Sequence, residues 1–329
     1  TRAWFTESFA EPTTVQTGAW EAIARGDHAL VVAPTGSGKT LAAFLWAIDR
    51  LHAEHRAEAP GGQAGTVPPD RVPSERTRVL YLSPLKALGV DVERNLRAPL
   101  VGIARTAQAQ GAEPPEVSVG VRSGDTPPAD RRRLVTHPPD ILITTPESLF
   151  LMLTSSARET LRGVETVIVD EIHALAGTKR GSHLALSLER LDALTGRPVQ
   201  RVGLSATVRP HEEVARFLAG TRPVTIVAPP SGKRFDLSVR VPVEDLSDLA
   251  GESGTGSVWP HVEDAILDEV LAHRSTIVFA NSRRLAERLT ARLNELWEER
   301  QATPEPIPAA EAATESRAVE HDAGERDAA

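Results

Sequence analysis

Apolar and polar positions recur in one order along most of this chain: a short apolar run, a turn, then an amphipathic helical stretch. The runs are Ala29 to Ala33, Arg78–Leu82 (RVLYL), Asp140–Ile143 (DILI), Thr166–Val169 (TVIV) and Arg201–Ser205, with an alternating run at Glu116–Val121 (EVSVGV). Each is short, rich in branched residues and bounded by turn formers, which predicts buried strands. The intervening segments predict helices over 11–25, from Lys39 to about Arg50, and from the SPLKAL turn to about Arg97. A short helix is predicted after RSGDTPPADRRR, and further helices over Ser182–Leu194 and 211–218. Thr145 reads as an N-cap, with Pro146 at the first helical position and Glu147 near the positive helix end. Strands alternating with helices over some 220 residues predict an α/β fold with a doubly wound parallel sheet.

The pattern breaks in four places. Residues 53–77 are rich in Pro, Gly and Ala without periodicity, which predicts an exposed insertion. Residues 223–258 predict a linker with short strands near its start. From Trp259 a second unit begins: helix 261–272, strand Thr276–Ala280 (TIVFA), then helix Arg283–Glu299, with Leu285, Leu289, Leu293, Leu296 and Trp297 on one face. That leucine stripe reads as core. One strand cannot close an αβ core, so this unit is expected to be truncated at about residue 300. Residues 301–329 are Ala-, Glu- and Pro-rich and predict a disordered acidic tail or a loop cut short.

Composition narrows the chemistry. The 329 residues include no cysteine, which excludes disulfides, Cys-ligated zinc, iron–sulfur clusters and thiol nucleophiles. The longest strongly apolar stretch, Leu41 to Ile48, is far short of a membrane span, so a soluble cytoplasmic protein, or a piece of one, is expected. Net charge is −8, of which −5 sits in residues 301–329, so the near-neutral body can still carry a basic groove. Against 33 arginines stand four lysines, Lys39, Lys86, Lys179 and Lys233. A compact ammonium is not replaceable by a planar fork, which draws attention to each.

The strongest chemical signal is Ala33-Pro34-Thr35-Gly36-Ser37-Gly38-Lys39-Thr40, a phosphate loop with Ala in place of the first Gly. Gly36 and Gly38 allow a tight turn that gathers N–H groups around an anion, and the following helix N-terminus adds partial positive charge. Lys39 is placed to reach β- and γ-phosphates and Thr40 to ligate Mg²⁺. The second signal is Asp170-Glu171 at the end of an apolar strand, followed by Ile172-His173. Taken alone this is an ordinary solvated strand end. Paired with the phosphate loop it reads as a metal-holding Asp170 and a water-activating Glu171. Ser205-Ala206-Thr207 taken alone is turn chemistry; its place after DEIH gives it weight.

The phosphate loop, DEIH and SAT, in this order, resemble the nucleic-acid-stimulated ATPases of helicase superfamily 2, DExH branch. PTTVQ, SPLKAL, RSGDT, TTPESL and DEIHALAGTKRGSHLALSLERL resemble, within it, the Lhr family of bacteria over about residues 1–300. The resemblance implies a RecA-like P-loop NTPase domain over 1–222 and the start of a second RecA-like domain over 259–300. ATP with Mg²⁺ would be the cofactor pair, and Gln16 would read the adenine edge beside Phe9 or Phe5. His173, Ser205 and Thr207 would couple nucleotide state to a nucleic-acid groove. Pro84 to Ala87 with Lys86, Arg122 to Thr126 with Gly124, Thr144 to Glu147 including Thr145, and Asn281 to Arg283 would contact the strand.

Most of those groups follow a predicted strand's carboxyl end, where open α/β sheets bind ligands. Lys86 can equally be a solvated helix residue, Ser123–Thr126 an ordinary turn, and Lys179-Arg180 either a basic contact or an exposed turn. By resemblance the partner would be single-stranded DNA or a DNA/RNA hybrid, with 3′ to 5′ travel and no membrane. Further helicase and winged-helix domains are expected downstream. The resemblance also implies a later motif with a Gly-Arg-x-x-Arg core whose arginines stabilise the γ-phosphate in the transition state; no such string occurs, so the 329 residues by themselves are expected to turn ATP over poorly. An RNA helicase of the same superfamily, or a non-catalytic nucleotide-binding module, are the competing readings.

Overall fold

A computed structural model describes residues 1–58, 77–112, 116–230, 236–243 and 257–302. The chain divides into two units, Thr1–Lys233 and Arg234–Ala329.

The first unit is a seven-stranded sheet with helices on both faces. Its strands are β1 (His28–Val32), β2 (Val79–Leu82), β3 (Val119–Arg122), β4 (Ile141–Thr144), β5 (Thr166–Val169), β6 (Gln200–Ser205) and β7 (Val224–Val227). They lie in the order β3-β4-β2-β5-β6-β1-β7, and every pairing is parallel. Parallel strands buried on both faces need no polar alternation, which is why β2, β4 and β5 are continuous apolar runs. Successive residues nonetheless face opposite layers. Ala29, Val31, Val79, Tyr81, Ile141, Ile143 and Ile168 pack with the helices α2 (Thr14–Ala24), α3 (Lys39–Glu58) and α4 (Lys86–Ala109). Leu30, Val32, Leu80, Leu82, Leu142, Val167 and Val169 pack with α6 (Pro146–Leu153), α7 (Lys179–Thr195) and α8 (His211–Ala219). Helices α1 (Arg2–Ser8) and α5 (Pro128–Thr136) also belong to the unit.

Register decides where function can sit. Arg122 pairs with Thr144, Thr144 with Leu82, Leu82 with Val169 and Val169 with Gly203. One row of residues therefore crosses five strands at the sheet's carboxyl edge. Val32 pairs with Ser205 two residues further on.

Three boundaries differ from the sequence expectation. Helix α3 continues through residue 58, so the first residues of the expected insertion are helical; residues 59–76 lie outside the described residues. Helix α4 runs past Arg97 and through Pro99 to Ala109. The missing proline N–H removes one hydrogen bond, but Leu96 and Ile103 are buried on the same face and hold the segment to the core. Val224–Val227, expected in the linker, pairs in parallel with β1 as an edge strand, so the sheet takes in the first part of 223–258. Residues 231–235 and 244–256 of that span lie outside the described residues.

In the second unit, α9 (Trp259–Ala272) packs on α10 (Arg283–Ala302), with Leu267 and Leu289 buried between them. Thr276–Ala280 is not a strand. A strand needs a partner's ladder, none lies beside it among the described residues, and Phe279 is 90% exposed. The tail beyond Ala302 lies outside the described residues.

At the opposite end of β6 sits a buried charge. Arg201, 1% exposed, donates to the Leu218 carbonyl (3.0 Å), to Asp192 (2.7 Å) and to Glu189 (2.9 Å). Arg222 binds the same two carboxylates from outside. Truncating one member of such a set leaves buried charge uncompensated. Arg201→Ala is expected to lower unfolding stability by about 3 kcal/mol or more, read from the urea midpoint at unchanged slope.

Candidate nucleotide and nucleic-acid site

The phosphate loop connects β1 to α3 at the carboxyl edge. Gly36 and Gly38 both have φ of 83°, a left-handed conformation open to glycine and costly for other residues. Gly38 has a second constraint: a Cβ there would stand 2.4 Å from Gln16 Nε2. Gln16 is brought close by a capping box. Its backbone N–H donates to Thr13 Oγ1 (3.2 Å), its Oε1 accepts from the Thr13 N–H (3.0 Å), and Thr13 Oγ1 donates to the Ser37 carbonyl (3.1 Å). The N-terminus of α2 is thereby docked on the loop. Lys39, 8% exposed, donates its ammonium to the carbonyls of Ala33 (2.8 Å) and Pro34 (3.2 Å). Burial pushes its pKa down, opposed by the charges of Glu171 and Asp170. Ser37 Oγ is buried without a partner, while Thr35 and Gly36 are exposed.

Asp170 ends β5, one strand away from β1 across β6. Burial raises its pKa, and Glu171 adds to the rise. The Tyr81 hydroxyl on β2 and the Glu171 backbone N–H donate to its two oxygens and oppose it, as does the charge of Lys39. Glu171 is the one non-glycine residue with positive φ among the described residues (44°). Its Oε2 lies 3.4 Å from His173 Nδ1, which lies 3.3 Å from Ser205 Oγ. The Ser205 carbonyl in turn accepts from the Ala33 N–H (3.1 Å). Phosphate loop, acidic pair, histidine and serine thus form one contiguous cluster. Thr207 lies past the strand end and is exposed.

The remaining candidates of the first unit follow the same edge. Pro84 is buried after β2, and Lys86 heads α4 with its side chain outside the described residues. Thr144 donates its hydroxyl to the Arg122 carbonyl (2.7 Å), tying β4 to β3. Thr145 caps α6 by accepting from the Ser148 N–H (3.4 Å). Arg122 Nη1 is buried with no hydrogen-bond partner, and Gly124 is exposed in the turn that follows. Arg180 is neither a free contact nor a bare turn residue: its guanidinium forks onto Glu147, whose pKa it holds at about 2. Asn281 and Arg283 are exposed in the second unit, where Arg283 pairs with Glu287. Phe5 is buried against Trp20 and Phe9, which closes it off from any base; Phe9 is the exposed ring of the pair.

The family model described as DEAD/DEAH box helicase matches residues 13–216. The chain belongs to that family. Among DEAD/DEAH box helicases it is similar to the "Lhr helicase/ probable uracil glycosylase" of Mycolicibacterium smegmatis. The two are 64% identical over 300 residues, which is 91% of this chain and 19% of that protein. The "Lhr helicase/uracil glycosylase" of Escherichia coli is 57% identical over 307 residues, covering 90% of this chain and 19% of that protein. The chain therefore spans about a fifth of the length of these curated relatives. A solved structure of Mycobacterium smegmatis helicase Lhr bound to ssDNA and AMP-PNP superposes with a TM-score of 0.73 at 62% identity, covering 93% of this chain and 36% of that one.

Two residues of this cluster are not singled out by the sequence alone. Tyr81 is the chain's one tyrosine, set within an apolar strand. A buried phenol needs a partner, and that polar atom was the available signal. Thr13 was hidden because its work depends on the fold bringing residue 37 to it.

Because Asp170 is held above the ordinary aspartate value of 3.8, its ionised form is disfavoured by folding. The penalty is absent at low pH, grows as pH rises through 3.8, and levels off above the folded value. Asp170→Asn should therefore be more stable to urea than the parent at pH 7, and the gain should vanish on acidification below about pH 4.

Proposed function

We propose that this chain is the ATP-binding lobe, with the beginning of a second RecA-like lobe, of a cytoplasmic Lhr-type helicase or translocase. Its fuel would be Mg²⁺-ATP. Its track would be single-stranded DNA, followed 3′ to 5′, with DNA or DNA/RNA duplexes opened ahead of it. The observation that carries this reading is the shared edge. Lys39, Asp170 and Glu171 gather around the end of β6, while Arg122 and the α6 N-terminus lie along the same row of strand ends. Nucleotide chemistry and strand contact are then faces of one sheet edge. The relative solved with ssDNA and AMP-PNP supports the same pair of ligands.

The donor set suits Mg²⁺. Thr40 offers a hydroxyl in the first turn of α3 and Asp170 a carboxylate, both hard oxygen donors. No group of three or more His, Cys, Asp or Glu able to hold a metal occurs among the described residues. This fits a cation that takes its other ligands from phosphate and water. Bound there, it would supply charge stabilisation to the β- and γ-phosphates.

The protein's own residues supply the rest. Lys39 exchanges the Ala33 and Pro34 carbonyls for phosphate oxygens, a gain because those neutral acceptors only partly offset its burial. The loop amides and the α3 N-terminus hold the phosphates in place. Glu171 orients water for in-line attack on the γ-phosphate and takes its proton. His173 and Ser205 sense that event, since one touches Glu171 and the other the phosphate loop. Strand contact through Arg122 and helix N-termini reads phosphate rather than sequence, as a translocating motor requires.

In the full-length protein, Lys39→Ala is expected to abolish nucleotide binding. Glu171→Gln should bind nucleotide normally while losing on the order of 10²–10⁴ in hydrolysis rate. Fluorescent-nucleotide titration and phosphate release, stimulated by ssDNA and by RNA of the same sequence, check both. Normal turnover by Glu171→Gln would remove the base assignment, and stronger stimulation by RNA would replace DNA as the track.

A further inference from the structure

The turn after β3 carries an arrangement that strand contact alone does not explain. Arg131, on the first turns of α5, donates Nε to the Thr126 carbonyl (2.8 Å) and Nη2 to the carbonyls of Gly124 (2.7 Å) and Ser123 (3.5 Å). A single guanidinium therefore gathers three carbonyls of one four-residue turn. Inside the turn, Thr126 Oγ1 accepts from the Ser123 N–H (2.9 Å) and Ser123 Oγ from the Asp125 N–H (3.2 Å). The turn is thus braced from within by two hydroxyls and from behind by Arg131.

Next to this brace stands Arg122. Its Nη1 is buried without an acceptor, and its backbone carbonyl is tied to Thr144. Burial and the neighbouring Arg131 charge both push its pKa below the ordinary arginine value. The two arginines divide the labour: Arg131 spends Nε and Nη2 on the turn's carbonyls, while Arg122 keeps Nη1 without a partner. The idle one is set for an anion, and the engaged one fixes the turn beside it. An arginine can do this where a lysine cannot, because the planar fork presents several N–H vectors at once while an ammonium is a point charge.

We propose that Arg131 is a positioning residue for nucleic-acid binding: it shapes the Ser123–Thr126 turn and sets Arg122 toward a strand phosphate, without contacting that phosphate. This rests on the reading of the β3 edge as a strand contact. Arg131 acts through fork geometry, so charge alone does not replace it. It neutralises no phosphate, so its removal leaves the number of counterions released on binding unchanged.

Salt dependence separates the two roles, because each phosphate neutralised by a protein cation contributes about 0.7 to the slope of log K against log salt for a single strand. The experiment uses the full-length protein and a fluorescein-labelled single-stranded DNA oligonucleotide, titrated by anisotropy at several salt concentrations. Arg131→Gln is expected to weaken binding about tenfold with the slope unchanged and with nucleotide affinity as in the parent, and Arg131→Lys, which keeps the charge but not the fork, to do the same. Arg122→Gln is expected to weaken binding and lower the slope by about 0.7. Thr126→Val, which loosens the same turn by another route, should repeat the Arg131→Lys signature and keeps the test open if Arg131→Lys folds poorly. Parental affinity for both Arg131→Lys and Thr126→Val would overturn the inference, as would a slope for Arg131→Gln that falls as it does for Arg122→Gln. An Arg122→Gln variant with parental affinity and slope would instead refute the strand-contact reading on which the inference stands.

Discussion

Ser205 joins the parts of this molecule that are far apart in sequence. Its backbone carbonyl receives the Ala33 N–H at the mouth of the phosphate loop, and its hydroxyl lies against His173, which lies against Glu171. Both contacts follow from strand order. With β6 between β1 and β5, the residue ending β6 has the phosphate loop on one side and the acidic pair on the other. A different order would leave each motif intact and scatter the chemistry. The parallel ladder is therefore the constraint on which the site depends, and the apolar layers on its two faces hold that ladder in register.

The price of gathering these groups is visible in their protonation. Lys39 and Asp170 are each 8% exposed and each is pushed toward its neutral form by burial. The protein offsets this locally, with loop carbonyls around the ammonium and the Tyr81 phenol and a backbone N–H on the carboxylate. The buried ammonium, its burial only partly offset, favours an anionic ligand. Tyr81 also stacks on Phe44 of α3, so the acceptor end of Asp170 is set by packing as well as by hydrogen bonding.

Much of this was legible in the chain because parallel sheets write themselves as apolar runs, and because the phosphate loop and DEIH each carry their own local geometry. What stayed hidden depended on distance along the chain or on a partner. Tyr81 and Asp170 are 89 residues apart, and nothing local marks them as a pair. Val224–Val227 became a strand because β1 had an open edge to receive it. Thr276–Ala280 has an equally good strand composition and, among the described residues, no ladder to join. Helix α4 outlasts its proline because tertiary contacts outweigh one lost hydrogen bond. The RSGDT turn could be placed at the sheet edge from sequence. That Arg131 holds it could not, since ADRRR reads equally well as a solvated helix face.

The left-handed backbone at Glu171 has a further implication. A side chain held in that region costs on the order of 1–3 kcal/mol, and glycine would occupy it with little penalty. The position is thus occupied against its own conformational preference. Selection for foldedness alone would favour replacing the glutamate by glycine, a change that erases the carboxylate while relaxing the turn. On the role proposed for Glu171, a lineage released from the need to burn nucleotide would be expected to lose this acid early, and its descendants would be sturdier and inert.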